Sequence, residues 1–391
     1  MNTRRSTSKQ KGLAAAVAVL AVPAAWAAAP PAPPPNCGVT NGYTQRNLAA
    51  NSPALGAAHV DPHLVNTWGL AFNPTGVAWV ANNKTGTSSL FNGDGVPQPL
   101  VVGIPEPGKT EPGEPTGIVF NGSDAFVVSG GAGVSGPANF IFATEEGTLA
   151  AWAPMVDEAQ AKIVADNSSM GAVYKGLALS GSGAQAKLYA TDFKNGRVDV
   201  FDAKFVRMSM PGAFEDPSMP PGFAPFNIQE IDGTLYVTYA QQDPEREDDV
   251  PGAGAGFVNA FDMNGKLLRR VISQGQLNAP WGLAMAPAGF GNFSNHLLVG
   301  NFGDGHINAY DPATGAWAGA LTRPDGQPLV IDGLWALRFG NGVENQPLET
   351  LFFTAGPALE SQGLFGRLDL MPMCAKGGPP PWKASPEQLL P

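Results

Sequence analysis

Trp68-Gly69-Leu70-Ala71-Phe72 is the first of six related phrases along the chain. It is followed by Pro115-Thr116-Gly117-Ile118-Val119-Phe120, Lys175-Gly176-Leu177-Ala178-Leu179, Pro225-Phe226-Asn227-Ile228, Pro280-Trp281-Gly282-Leu283-Ala284 and Asp332-Gly333-Leu334-Trp335. A second apolar run follows each phrase: Ala78-Trp79-Val80, Ala125-Phe126-Val127-Val128, Lys187-Leu188-Tyr189-Ala190, Thr234-Leu235-Tyr236-Val237, His296-Leu297-Leu298-Val299 and Thr350-Leu351-Phe352-Phe353. A third run then leads into a turn, most plainly in Arg197-Val198-Asp199-Val200-Phe201-Asp202, Phe257-Val258-Asn259-Ala260-Phe261-Asp262 and His306-Ile307-Asn308-Ala309-Tyr310-Asp311. Short alternating runs separated by turn residues are antiparallel strands rather than helices. A repeat of roughly fifty residues with three or four strands is a small sheet that needs a neighbour on each face, as in a propeller blade.

The expected fold is therefore all-β, a single six-bladed β-propeller over residues 43–372, in which Tyr43 to Leu48 supplies an outer strand to the last blade. A seven-bladed ring with one degenerate blade is the alternative, because the stretches 132–174 and 241–254 obscure the count. The composition agrees with a strand-rich body: 391 residues at 43% hydrophobic content can build a sizeable core, and 49 glycines and 37 prolines without a triplet period suit many tight turns. With 33 acidic against 23 basic side chains the net charge is −10, and no concentrated basic patch is present. Nucleic acid is excluded as the expected partner.

The first 27 residues have the order of an export signal. Arg4, Arg5, Lys9 and Lys11 precede the apolar run Leu13 to Ala25, and Ala25-Trp26-Ala27 offers a cleavage site. That run is short for a membrane anchor, so the expectation is a secreted or periplasmic protein without a transmembrane anchor after processing. Residues 28–42 read as a proline-rich leader and 373–391 as a C-terminal tail. Cys37 and Cys374, the two cysteines of the chain, flank the body. In an oxidising compartment a disulfide between them would tie the ends together.

The phrases Asp61-Pro62-His63-Leu64-Val65-Asn66-Thr67-Trp68-Gly69-Leu70-Ala71, Pro225-Phe226-Asn227-Ile228-Gln229, Leu235-Tyr236-Val237-Thr238-Tyr239-Ala240 and Pro280-Trp281-Gly282-Leu283-Ala284 resemble a family of uncharacterised exported bacterial propeller proteins. That resemblance implies the fold and supplies no substrate. More broadly the repeats are similar to those of NHL and gluconolactonase-like six-bladed propellers. Several such enzymes hold a divalent metal at the central opening through acidic and amide side chains from different blades, and the resemblance here extends to the scaffold without fixing such a site.

Loops that leave the second strands converge on one face of a radial fold. They display Asn82 and Asn83, Ser129, Thr191 and Asp192, Gln241 and Gln242, then Asn301 and Asp304, while Asn66, Asn227 and Asp332 stand near the starts of the inner strands. Carboxylate and amide oxygens suit calcium or another divalent cation, so Asn66, Asn82, Asp192, Asn227, Asn301 and Asp304 are the candidate metal ligands. Turn capping is the competing role for each. Asp192, Asp304 and His306 are the candidate catalytic groups, the carboxylates as acid, base or ligand and the imidazole as base. His59 and His63 lack a His-Glu-x-x-His pattern, and Ser361 lacks the frame of a serine nucleophile. Trp68 and Trp281 pack in blades or present ring faces to a ligand. Two functions follow: an exported propeller that binds a small molecule, extracellular polymer or protein, with a structural divalent cation, or a metal-dependent hydrolase or lactonase acting at the central opening.

Overall fold

Six four-stranded antiparallel sheets alternate with tight turns through the computed structural model, which describes residues 41–372 except Thr110. Blade 1 runs from the axis outward through Thr67–Phe72, Ala78–Asn82, Thr87–Phe91 and Pro97–Gly103, and blades 3 to 5 repeat that order with inner strands Tyr174–Ser180, Phe223–Ile231 and Pro280–Met285. Blade 6 takes Leu334–Phe339, Leu351–Ala355 and Leu364–Pro372 from the C-terminal part and its fourth strand, Asn41–Ala50, from the N-terminal part. This seam is antiparallel with a bulge at Asn47/Ala49, and His59–Val60 adds a short parallel edge. The six-bladed ring is thus the observed fold.

Two details differ from the sequence reading. In blade 2 the strand after Pro115–Phe120 is Phe140–Thr144, whereas Val127–Ser129 pairs with Ser135–Pro137 in a separate hairpin. Apolar content alone does not distinguish an inserted hairpin from a blade strand. In blade 6 the strand pairing sets Trp335-Ala336-Leu337, not the earlier Gly333, in register with Trp68-Gly69-Leu70.

The export signal expected over 1–27, the leader up to residue 40 and the tail 373–391 lie outside the described residues. The disulfide expected between Cys37 and Cys374 likewise falls on residues outside the described ones. Among the described residues, hydrogen bonding between Asn41–Ala50 and Leu364–Pro372 closes the ring. Among the described residues no helix is long and apolar enough to cross a membrane.

The repeated phrase has a physical cause at the axis. The pairing of every inner strand with its second strand shifts register at its first residues, for example between Thr67 and Leu70, Tyr174 and Leu177, Pro225 and Asn227, and Leu334 and Leu337. Such a bulge inserts an extra residue and re-aims its side chain. The re-aimed positions are Trp68, Thr116, Lys175, Phe226, Trp281 and Trp335, and the next residue is pressed against the neighbouring blade. A Cβ on Gly117 would stand 2.5 Å from the backbone nitrogen of Leu177, and one on Gly282 would stand 2.7 Å from the carbonyl oxygen of Trp335.

Threonines on the second strands fasten these contacts. Thr191 Oγ1 accepts from Gly176 N at 2.7 Å in its own blade and donates to Phe226 O at 3.1 Å in the next. Thr354 repeats the arrangement, accepting from Ala336 N at 3.0 Å and donating to Trp68 O across the closing seam. Farther out, apolar side chains fill the wedges between blades. Trp79 of blade 1 stacks on Phe140 of blade 2 with centroids 4.0 Å apart and tilts against Trp152.

Gly117→Ala forces its methyl group into backbone and should lower stability by about 1–3 kcal/mol. Gly131→Ala, where the added atom meets nothing within 4 Å, should stay within about 0.5 kcal/mol of the parent. Chemical denaturation of the two variants checks both values.

Candidate functional site

The first residue beyond each second strand, at the end of the ring where the inner strands begin, is Asn83, Glu145, Phe193, Gln242, Phe302 or Gly356. Together with the bulge residues these positions form the axial mouth. Aromatic rings fill its floor: Trp335 lies between Trp68, stacked at 3.7 Å, and Phe302, stacked at 4.0 Å, while Trp281 and Phe226 meet it edge-on at 5.9 and 6.0 Å. The indole N–H groups of Trp68 and Trp281 are buried without a hydrogen-bond partner. Orphaned donors of this kind call for a water or ligand acceptor.

Lys175 stands in this floor at 1% side-chain exposure. Its ammonium pairs with Glu145, reaches Asp248 Oδ1 at 3.1 Å and lies 5.1 Å from the Trp68 ring centroid. Burial alone would favour the neutral amine, but Glu145 and Asp248 together raise its pKa above the ordinary lysine range. The amine is therefore a fixed cation and not a nucleophile. Burial likewise opposes the charged form of Glu145, yet the nearby Lys175 and a hydrogen bond from Asn83 hold its carboxyl below the usual range.

A chain of side-chain hydrogen bonds links floor and rim. Trp335 Nε1 donates to Asn66 Oδ1 at 3.0 Å, Asn66 Nδ2 donates to Asn83 Oδ1 at 3.2 Å and to Glu360 Oε2 at 3.1 Å, and Asn83 Nδ2 donates to Glu145 Oε2 at 2.9 Å. The opening above has a volume of about 280 Å³ and is lined by Lys84, Glu114, Glu145, Glu146, Asp248 and Glu360 with Val173 and Glu247. Carboxyl groups outnumber ammonium groups here. Burial and the negative Glu145 push the Glu360 carboxyl above its ordinary range. Asp249, beside this group, is pushed up to about 7 by burial, with Glu360 and Asp248 adding to the shift against the pull of Lys175. One of its oxygens is buried without a partner.

The segment that carries Glu360 is strained. Ala358, Leu359 and Glu360 have φ of 56°, 54° and 63°, and Asn66 beneath them has φ 48°. Three consecutive non-glycine residues in the left-handed region cost free energy, and such backbone concentrates at functional sites. Bonds from Ala358 N to Asp332 Oδ2 at 2.9 Å and from Gln362 N to Pro357 O at 3.2 Å hold the turn. It places Leu359 in solvent at 99% exposure and turns Glu360 back to Asn66.

Among the residues expected from sequence, Asn66 enters this mouth and joins Asn83. Asn82 instead donates to Thr87 and Ser89 in its own blade. Asp192 is buried, accepts from Val173 N and Asn195, and pairs with Arg197 at 3.0 Å. Asn227 bridges blades by donating to Trp281 O at 2.7 Å. Asn301, Asp304 and His306 form a local group with Asn278: Asn301 Nδ2 reaches Asp304 Oδ1 at 3.1 Å, and His306 Nδ1 lies 3.2 Å from the same oxygen. Asp332 supports the strained turn, and Ser129 belongs to the inserted hairpin. Strand alternation is the reason: the last strand residue serves its own blade, while the following residue reaches the axis. Lys175 and Glu145 were not selected from the sequence as site residues. The repeat contained one usable signal, a lysine at the position that Trp68 and Trp281 occupy in other blades.

Among the described residues no group of three or more His, Cys, Asp or Glu side chains is placed to hold a metal ion. At the mouth the Lys175 ammonium already stands between Glu145 and Asp248. This donor set does not fit the divalent cation that the broader fold resemblance implies.

No family model matches the chain. It is 33% identical over 322 residues to "Uncharacterized protein R648" of Acanthamoeba polyphaga mimivirus, covering 80% of this chain and 76% of that protein. It is 34% identical over 319 residues to "Uncharacterized protein L690" of the same virus, covering 80% and 82%. These viral relatives overturn the expected membership of an exported bacterial family. Among solved structures, a catalytically inactive virginiamycin B lyase from Staphylococcus aureus with quinupristin is similar at 12% identity and a TM-score of 0.48, covering 85% of this chain and 100% of that one. The soluble aldose sugar dehydrogenase from Escherichia coli in its apo form is similar at 13% identity and a TM-score of 0.48, covering 84% and 99%. Likeness at this level carries no argument about activity.

Lys175→Met leaves the Glu145 carboxylate without its cation and should cost about 3–5 kcal/mol at neutral pH. In the parent the folded pKa of Glu145 is depressed, so its contribution is present above the ordinary carboxyl pKa and is lost as pH falls through the depressed value. In Lys175→Met the shift reverses, and the loss should shrink as pH falls toward about 4. Denaturation midpoints from pH 4 to 8 distinguish the two slopes.

Proposed function

We propose, for a chain that belongs to the family of the mimivirus proteins R648 and L690, that the axial mouth binds a small polar ligand and opens an ester or lactone bond in it by acid–base chemistry. The observation that carries this reading is the presence, at one mouth, of a fixed cation, Lys175, paired with Glu145, and of a more basic carboxyl, Glu360, held by Asn66 on a strained turn. A raised carboxyl pKa brings a general base closer to working pH. Glu360 would take a proton from water as the water oxygen attacks the carbonyl carbon, and would return it to the leaving oxygen as the ring or ester bond breaks. Asp248 is 75% exposed where it meets Lys175. A substrate carbonyl oxygen that displaces it would gain the ammonium as the partner for its developing negative charge.

The acid-rich rim favours a substrate with hydroxyl donors or a positive group. Because the donor set does not fit a divalent cation, no step passes through a metal. Ligand binding without turnover is the second reading, favoured by the orphaned indole donors of Trp68 and Trp281. Export is proposed from residues 1–27, and a mature chain beginning after Ala27, measured by intact mass, would support it.

A panel of γ- and δ-lactones and simple esters, followed by proton release with chelator present, tests the reaction. Turnover should survive chelation, and Glu360→Gln should lower kcat by about 10²–10⁴-fold with little change in ligand affinity. Saturable ligand binding with no hydrolysis in parent or variant would favour the binding reading.

A further inference from the structure

The opposite end of the axial channel, where the inner strands finish, plays no part in the chemistry above. A cavity of about 310 Å³ opens there, with apolar walls that include Phe72, Phe120, Leu179 and Phe339 and with Gln229, Glu230 and Arg338 as its polar side chains. This volume lies at the small end of the range for small-molecule pockets. Inward it narrows to about 20 Å³ between the inner strands, at a constriction lined by Gly69, Gly117, Asn227 and Trp281 among others. The aromatic floor of the Lys175 mouth lies beyond. The two mouths are separate.

Arg338 gives this cavity its chemistry. It lies in the inner strand of blade 6, and its Nε donates to Leu70 O of blade 1 at 3.3 Å. With the Gln229 amide in the orientation that satisfies both of its ends, Gln229 accepts from Nη1 of Arg338 and donates to Leu283 O at 3.2 Å. Among the described residues no hydrogen bond engages Nη2 and no carboxylate pairs with the guanidinium. Glu230 accepts from Gly233 N at 2.7 Å, which ties it to the adjacent turn. Burial pulls the Arg338 pKa down to about 10, and the charge of Glu230 only partly opposes it. A guanidinium taken from water without a counter-charge gains when an anion enters beside it.

We propose that this second mouth binds a small organic anion with a flat apolar body, an aryl carboxylate, whose carboxylate pairs with Arg338 while the ring lies among Phe72, Phe120 and Phe339. The planar guanidinium matches a carboxylate in geometry as well as charge, and the phenyl rings favour an aromatic body in edge or offset contact. An inorganic anion would satisfy Arg338 alone and leave the apolar walls wet. Volume restricts the body to about one ring.

Calorimetric titration of the full chain with benzoate tests the assignment, with benzamide as the neutral isostere. Benzoate should bind saturably at one site and benzamide should not. Arg338→Gln should weaken benzoate by about tenfold or more, and Glu360→Gln at the other mouth should leave it unchanged. Leu179→Trp, which fills the cavity and keeps the arginine, should weaken it as well and carries the test if Arg338→Gln fails to fold. Absence of saturable benzoate binding, or equal affinity in parent and either cavity variant, would overturn the proposal.

Discussion

The close approach of six inner strands at one axis is the constraint from which the rest follows. Each strand meets its neighbour backbone to backbone, so the crowded position is glycine in four blades, asparagine in blade 4 and alanine in blade 6. A bulge immediately before it relieves the mismatch between a radial sheet and a central channel, and so aims one side chain per blade inward. Thr191 and Thr354 bind the bulged peptide of one blade to the carbonyl of the next. Closure between the first and last strands of the body completes the ring with the same backbone hydrogen bonds that build each blade.

Four of the six inward positions are aromatic, and they solve the problem of an open axis by filling it. The exceptions give the mouth its chemistry. Thr116 donates to Tyr174 O at 2.8 Å and continues the fastening between blades, whereas Lys175 brings a charge into the aromatic floor. A buried ammonium is tolerated only with anionic partners, which explains why Glu145 and Asp248 converge on it from blades 2 and 4. Burial, with the neighbouring carboxylates, makes Glu360 and Asp249 hold their protons more tightly, against the pull of Lys175. The direct contact with Lys175 keeps Glu145 firmly ionised while burial makes Glu360 and Asp249 more basic, which is the division that acid–base chemistry requires.

The sequence displayed the ring clearly because its cause is local and repeated. Gly69, Gly117, Gly176 and Gly282 each mark the same crowded contact, and the following apolar residues mark the same strand. It misplaced the second strand of blade 2 because Phe126-Val127-Val128 has the composition of a blade strand while belonging to an inserted hairpin. That error hid Glu145, which follows the true strand Phe140–Thr144. The candidates Asn82, Asp192 and Asn301 fell one residue short of the axis for a related reason: periodicity locates a strand end but not which residue the closing turn directs inward. Lys175 required tertiary knowledge, since its significance comes from partners 30 or more positions away, and the left-handed turn that positions Glu360 is announced by no residue between Ala358 and Glu360.

The account rests most directly on Lys175 being a permanently charged group at the axis. Nitrogen-15 NMR of lysine Nζ across pH, with the Lys175 signal assigned by its disappearance in Lys175→Met, measures this charge. The predicted result is an ammonium signal that persists beyond the pH at which the exposed lysines titrate. A Lys175 signal that becomes neutral with or before those lysines would contradict the account, because the amine would then be an available base rather than the cation that keeps Glu145 ionised.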